Sequence, residues 1–329
     1  MGELRATARA GANIALIKYW GSRDPALNLP LNDSLSMTLS DAVTVTTVAY
    51  DPDLQVDEIY LDGERVLDDR GTRVSRQLDR IRVDYYRMYA RVASVNSFPA
   101  GTGLASSASG FAALTVAAIA AFDEGLPDGR ELSARARRGS GSAARSIPGG
   151  FVHWRAGRTD EDSFAESVFE PDWWDLRDLC PLISTSPKEV SSSRGHRIAA
   201  VHPFMEARLR ALPGRLAAVQ GAVADRDLDT LGALVEHEAL EMHGIMISST
   251  PSCLYLLPRT LAVIHAVRNW REDGLGVYVT LDAGPNPHLL CLPRDESQVL
   301  EAIERLLPGT RVIANQPGPG TTLVQEHLL

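Results

Sequence analysis

The sequence predicts an α+β protein built from two domains. Strand-like segments and helix-like segments occur in runs rather than in strict alternation, which argues against a doubly wound sheet. At 329 residues the chain is too long for one small core. A polar stretch, STSPKEVSSSRG, interrupts the pattern near residues 185–200 and places the expected domains at 1–185 and 186–329. Composition is that of an ordinary globular protein, with 44% hydrophobic and 23% charged residues. A net charge of −9 argues against a broad nucleic-acid surface. Uncharged apolar runs never reach the roughly 18 residues a membrane span needs, so neither nucleic acid nor membrane is expected as a partner. The N-terminus MGELRATARA has no signal-like apolar core. Cys180, Cys253 and Cys291 lie far apart without CxxC spacing, as expected for reduced thiols in a cytoplasmic protein.

Residues 34–49 are rich in Thr and Val with partial alternation and read as strand. Residues 56–67 read as a short hairpin around Asp62-Gly63. Val74, Leu78, Ile81 and Tyr85 are spaced for a helix over 73–93. A second helix, 106–122, is apolar nearly all round and is expected to be buried. Asp128 and Glu131 form a capping-box pattern for a third helix ending near Arg138, where GSGS breaks it. In the second half, helices fit 203–223, 227–244, 256–273 and 295–307. Strands fit 276–283 and 288–293 around a GPNP loop, and two short strands follow the last helix.

One stretch raises a chemical question. FPAGTGLASSASG, residues 98–110, is uncharged and open where the second helix begins. A helix N-terminus has unpartnered N–H groups and positive dipole charge, and glycines before it let a ligand approach the backbone. Together these make an anion site, and Ser106 and Ser107 add hydroxyls for phosphate or Mg²⁺. The run is neither a Walker A loop nor GxGxxG. Three further stretches carry reactive side chains beside glycine turns. They are GANIALIKYWGSRD (11–24), RRGSGSAARSIPGGFVHW (137–154) and VTLDAGPNPH (279–288).

With these four motifs in place, the chain resembles the mevalonate diphosphate decarboxylase family of the GHMP kinase superfamily from about residue 10 to residue 290. The resemblance implies a two-domain α+β GHMP kinase fold, an N-terminal ATP-binding domain and an active site in the inter-domain cleft. It implies ATP and Mg²⁺, with phosphates held by Gly101, Gly103, Leu104, Ala105, Ser106, Ser107 and Ala108 and with Ser107 toward the metal. It also implies that Asp282 faces the substrate's 3-hydroxyl, that Lys18 pairs with Asp282 or the phosphoryl group, and that Arg145 grips the substrate carboxylate. Tyr19 is implied at the 5-phosphate, and Ser140, Gly141, Ser142 and Ser192 around the substrate. Homodimers are common in the family.

Two positions depart from the family's pattern. The motif usually ends KYWGK, but here Ser22 stands in the last place. An arginine often follows the serine matching Ser192, but here Ser193 does, and Arg194 comes one residue later. The family uses both missing cations on the diphosphate arm. The expected substrate is therefore 5-phosphomevalonate, giving isopentenyl phosphate, with 5-diphosphomevalonate giving isopentenyl diphosphate as the alternative. A mevalonate 3-kinase and a non-catalytic sensor rank lower, because Asp282, Lys18 and Arg145 are all present. His237, Glu238, Glu241 and His243 suggest a metal cluster, but histidines six apart are separated by about 600° of helix. HExxH spacing is absent, so a solvated helix face is expected there.

Overall fold

A computed structural model describes residues 4–83, 88–99, 106–122, 125–186 and 190–329, with the Ser193 side chain excluded. The chain begins with β1 (Arg5–Ile17), β2 (Ser22–Asp24), β3 (Leu29–Pro30), β4 (Ser34–Asp51), β5 (Glu58–Leu61) and β6 (Glu64–Arg65). Next come α1 (Asp69–Arg82), β7 (Tyr89–Asn96), α2 (Ser106–Ala120), α3 (Gly129–Gly139) and a 3₁₀ turn at Gly141–Ser146. Three strands follow, β8 (Phe151–Trp154), β9 (Ala165–Phe169) and β10 (Arg177–Pro181). The helices α4 (Ser192–Ala199), α5 (Met205–Asp225), α6 (Leu228–Ser248) and α7 (Pro258–Glu272) come next. The chain ends with β11 (Val277–Thr280), β12 (His288–Cys291), α8 (Pro293–Leu306), β13 (Val312–Asn315) and β14 (Thr322–Val324).

Two sheets organise these elements. The first runs β14-β1-β4-β7-β5-β6, with β8 on β4 and β9 on β8, and only β5–β7 is parallel. The second runs β11-β12-β10-β13 and is antiparallel throughout. The chain passes between sheets after Phe169 and before Arg177, ahead of the polar stretch. The β1–β4 ladder shifts register between Gly11 and Asn13 and again between Ala15 and Ile17. The second shift re-aims the strand just before Lys18, as bulges do.

One core cluster lies under α2, where Ala8 and Ala10 of β1 meet Ala112, Val116 and Ile119. A second cluster joins the halves. In it Ile14 and Leu16 of β1 and Met37 of β4 pack with Val219 of α5 and with Leu231 and Val235 of α6. β1 is thus covered on both faces, and most of it is buried without alternation. Gly232 lets α6 lie close on β11, since a Cβ there would sit 2.0 Å from the Tyr278 ring. Inside the second sheet, buried His288 Nδ1 pairs with Asp178 at 2.9 Å, and Asn315 donates to the same carboxylate at 3.3 Å. Burial alone would lower the His288 imidazole. The facing Asp178 reverses this and holds it well above its ordinary value.

The structure corrects four expectations. The helix expected over 73–93 ends at Arg82, and Tyr89–Asn96 is a strand paired with β4 over eight residues. Sheet pairing overrides the helix propensity of its Ala and Arg residues there. The polar stretch holds α4, whose Ser191 side chain caps the Arg194 N–H. No strand is expected over β1 or β8–β10: β1, β8 and β10 are largely buried and so lack alternation, and β9 is a short half-buried strand paired with β8. The helix face carrying Glu238 and His243 is not solvated, since these side chains are 0% and 1% exposed.

Two outcomes test the packing. Gly232→Ala drives a methyl into the Tyr278 ring and is expected to cost about 1–3 kcal/mol in urea unfolding. An unchanged midpoint would contradict the contact. A raised His288 contributes stability that is full below its unfolded value of about 6.5 and is lost as pH rises through the higher folded value. The advantage of wild type over His288→Gln is therefore expected to be widest near pH 6 and to shrink at alkaline pH. A gap that widens with rising pH would contradict the pairing.

Candidate active site

Lys18 is the first residue beyond β1, and Asp282 lies just past β11, so each sheet delivers one partner. Lys18 Nζ donates to Asp282 Oδ1 at 2.8 Å and to the Ala15 carbonyl at 2.6 Å. The lysine is 1% exposed, whereas the Asp282 side chain is 19% exposed. Oδ2 of Asp282 accepts no hydrogen bond among the described residues, so one oxygen is anchored and the other is open to a ligand. Burial would raise the Asp282 carboxyl, but Lys18 and Arg145 outweigh it and hold it below its usual value. Burial lowers the Lys18 ammonium, with Asp282 and Glu238 opposing.

The 3₁₀ turn carries Arg145, which is 3% exposed. Its Nε donates to Asn13 Oδ1 at 3.2 Å and its Nη1 to Ser34 Oγ at 2.8 Å. The guanidinium also lies over the Trp154 ring at 5.8 Å. Asn13 is itself held, donating to Ser146 Oγ at 2.8 Å. The guanidinium's remaining N–H groups make no hydrogen bond among the described residues. Burial brings Arg145 down to about 10, which leaves it charged at neutral pH.

Tyr19 forms the next wall. Its ring stacks on His196 of α4 at 4.1 Å and meets Trp154 edge-on at 4.8 Å. Gly141 sits under this ring, where a Cβ would come within 2.8 Å. Burial pushes the Tyr19 phenol up to about 12, so it remains a donor. Ser140 Oγ reaches Ser107 Oγ at 3.3 Å, which joins the GSGS turn to the first turn of α2. The Ser142 carbonyl accepts from Asn13 at 3.2 Å, and Ser192 begins α4.

The first turn of α2 contains Ser106, Ser107 and Ala108 and no acidic residue. Gly101, Gly103, Leu104 and Ala105 lie outside the described residues. An open cavity of about 590 Å³, lined by residues including Asp62, Asn96, Ser97 and Arg311, adjoins the start of that run. At the departures from the family pattern, Ser22 Oγ donates to the Leu29 carbonyl at 3.0 Å and Arg194 is exposed. Among the described residues no group of three His, Cys, Asp or Glu side chains could hold a metal. None of the described helices is long and apolar enough to cross a membrane.

Glu238 and His243 on α6, expected on a solvated helix face, also reach this site. Glu238 Oε1 accepts the Lys18 backbone N–H at 2.9 Å, and His243 Nε2 donates to the Asp282 carbonyl at 3.1 Å. Their spacing signalled no shared face, and no feature of the sequence pointed to partners so far away in the chain.

Comparison with known proteins gives the family. Residues 10–165 match the model of the diphosphomevalonate decarboxylase-like N-terminal domain. Residues 179–323 match that of the mevalonate 5-diphosphate decarboxylase C-terminal domain. Diphosphomevalonate decarboxylase of Saccharomyces cerevisiae is 34% identical over 92% of this chain and 81% of its own length. Most of the similar curated proteins share that name. Phosphomevalonate decarboxylase of Haloferax volcanii is 33% identical over 91% of this chain and 92% of its own. A solved structure described as MDDEF in complex with MVAPP, AMPPCP and magnesium superposes with a TM-score of 0.92 and 36% identity. It covers 98% of this chain and 99% of that one. The chain belongs to the diphosphomevalonate decarboxylase family, the ATP-dependent decarboxylases of the mevalonate pathway.

Proposed function

We propose that this protein uses ATP to phosphorylate the 3-hydroxyl of a mevalonate bearing phosphate on its 5-oxygen, and then decarboxylates it. The observation that carries this is the buried Lys18–Asp282 pair, with an open Asp282 oxygen and Arg145 beside it. Asp282 Oδ2 orients the 3-hydroxyl and takes its proton as that oxygen attacks the terminal phosphorus of ATP, releasing ADP. Lys18 keeps Asp282 ionised and offsets charge on the transferred group. The C3–O bond then breaks and phosphate leaves. The electron pair of the bond to the carboxylate becomes the new C=C bond as CO₂ departs. Arg145 holds that carboxylate through its remaining donors until the bond breaks.

Ser140, Gly141, Ser142 and Ser192 are assigned to the substrate, and Tyr19 to its 5-phosphate. Residues 101–108 are assigned to the ATP phosphates, and the adjoining cavity to the rest of the nucleotide. A helix start with two serines and no acid suits an anionic ligand. Magnesium, when bound, offsets phosphate charge, and Ser107 is the side chain assigned to it. The AMPPCP and magnesium of the related complex support ATP and Mg²⁺ here.

Two readings of the 5-arm remain. The names of most relatives, and the MVAPP of the related complex, favour the 5-diphosphate as substrate and isopentenyl diphosphate as product. A specific observation favours the 5-monophosphate. Ser22, where a lysine is usual, carries no charge and is tied to the Leu29 carbonyl, while Arg194 is exposed. The phosphomevalonate decarboxylase among the relatives is consistent with that second reading.

Supplying mevalonate, its 5-phosphate and its 5-diphosphate with ATP, and measuring ADP and CO₂ together, tests the proposal. A higher kcat/KM on the diphosphate supports the first reading, and on the monophosphate the second. ADP without CO₂ would reduce the activity to a 3-kinase, and binding without turnover would overturn the proposal. Asp282→Asn is expected to keep nucleotide binding while lowering turnover at least about a hundredfold. Near-normal turnover would remove Asp282 from the mechanism.

A further inference from the structure

The helix α6 holds the main chains of both reacting partners, and neither contact belongs to the chemistry described above. Glu238 takes the Lys18 N–H at 2.9 Å. Five residues on, His243 donates to the carbonyl of Asp282 at 3.1 Å. The Lys18 carbonyl is held as well, by Asn32 Nδ2 at 3.0 Å. The residue bearing the cation is thus gripped at both its amide and its carbonyl, and the residue bearing the carboxylate at its carbonyl.

Glu238 is itself fixed. Arg208 and Arg215 of α5 both pair with it, and both also reach Glu241 one turn along α6. Glu238 and Arg208 are almost fully buried, so this is a desolvated ion network with low freedom to rearrange. Two acids face two arginines, so Glu238 is held in place as it accepts the Lys18 N–H, beside its favourable pull on the Lys18 ammonium. Gly232 seats the same helix on β11, the strand that leads to Asp282.

We infer that Glu238 and His243 are positioning residues that set the separation of Lys18 Nζ and Asp282 Oδ1 across the two sheets from a single rigid helix. The inference rests on the proposed roles of Lys18 and Asp282. Neither α6 side chain touches substrate in it. Their effect is on the geometry of groups that do, where a displacement of about 1 Å costs on the order of a hundredfold in rate.

The test uses the full chain with its best substrate. His243→Leu removes the donor to Asp282, and His243→Gln restores an N–H at similar reach. His243→Leu is expected to lower kcat at least about tenfold with KM for ATP within about twofold, and His243→Gln to recover most of the loss. Glu238→Gln keeps an acceptor for the Lys18 amide but loosens the arginine network, and is expected to show the same split. Hydrogen exchange at the Lys18 amide is the readout that needs no turnover, and Glu238→Gln should speed it at least about tenfold. Unchanged kcat in His243→Leu, or equal losses in the Leu and Gln variants, would overturn the positioning role of His243. Unchanged Lys18 exchange in folded Glu238→Gln would overturn that of Glu238. If wild type turns over none of the three mevalonates, the functional reading fails, yet the exchange result still decides whether α6 holds Lys18. Should Glu238→Gln not fold, the His243 pair alone decides the inference.

Discussion

The ion pair between Lys18 and Asp282 is the contact around which the rest of the molecule is arranged. Its halves come from different sheets, separated by 264 residues of sequence, yet Nζ and Oδ1 lie 2.8 Å apart. Taking two charges out of water is costly, and removing one partner of a buried pair typically costs about 3–5 kcal/mol. Such a pair persists only where the surroundings satisfy it, and here they do so from several directions. Ala15 accepts from the ammonium, Arg145 adds positive charge near the carboxylate, and α6 secures both backbones. The partial exposure of Asp282 leaves its carboxylate accessible, as the proposed contact with a substrate hydroxyl requires.

The other features of the fold support that contact. Register shifts in β1 deliver Lys18, and α5 and α6 fill the space between the sheets with a shared apolar core. Together with the separate core under α2 it leaves β1 buried along most of its length, which gives the site a rigid floor. Arg145, Asn13 and Ser34 come from a 3₁₀ turn and two adjacent strands, so the carboxylate clamp proposed for Arg145 is built on ordered backbone rather than on a free loop. The Ser140–Ser107 contact ties the GSGS turn, proposed to meet the substrate, to the start of α2, where the phosphates are proposed to bind.

Much of this was legible in the sequence, for identifiable reasons. Glycine-bounded motifs such as KYWG, GSGS and DAGPN announce backbone turns with reactive side chains, and the Asp128–Glu131 cap marks a helix start through local chemistry alone. What stayed hidden depends on contacts distant in sequence. β1 does not alternate because both its faces are covered. Residues 89–96 become strand only through their pairing with β4. Glu238 and His243 looked like a solvated charged face because their partners stand 220 and 39 residues away. Local periodicity reports burial against one neighbour, and α6 is packed on more than one side.

The central claim is that Asp282 is an ionised carboxylate held in that state by Lys18. Carbon-13 NMR of the aspartate side-chain carboxyls, with the Asp282 signal assigned by its loss in Asp282→Asn, measures this directly across a pH series. The account predicts a midpoint for Asp282 below the ordinary aspartate value of about 3.9, displaced upward when Lys18 is replaced by Met. A midpoint at or above the ordinary value in the wild type, or one indifferent to Lys18→Met, would contradict it.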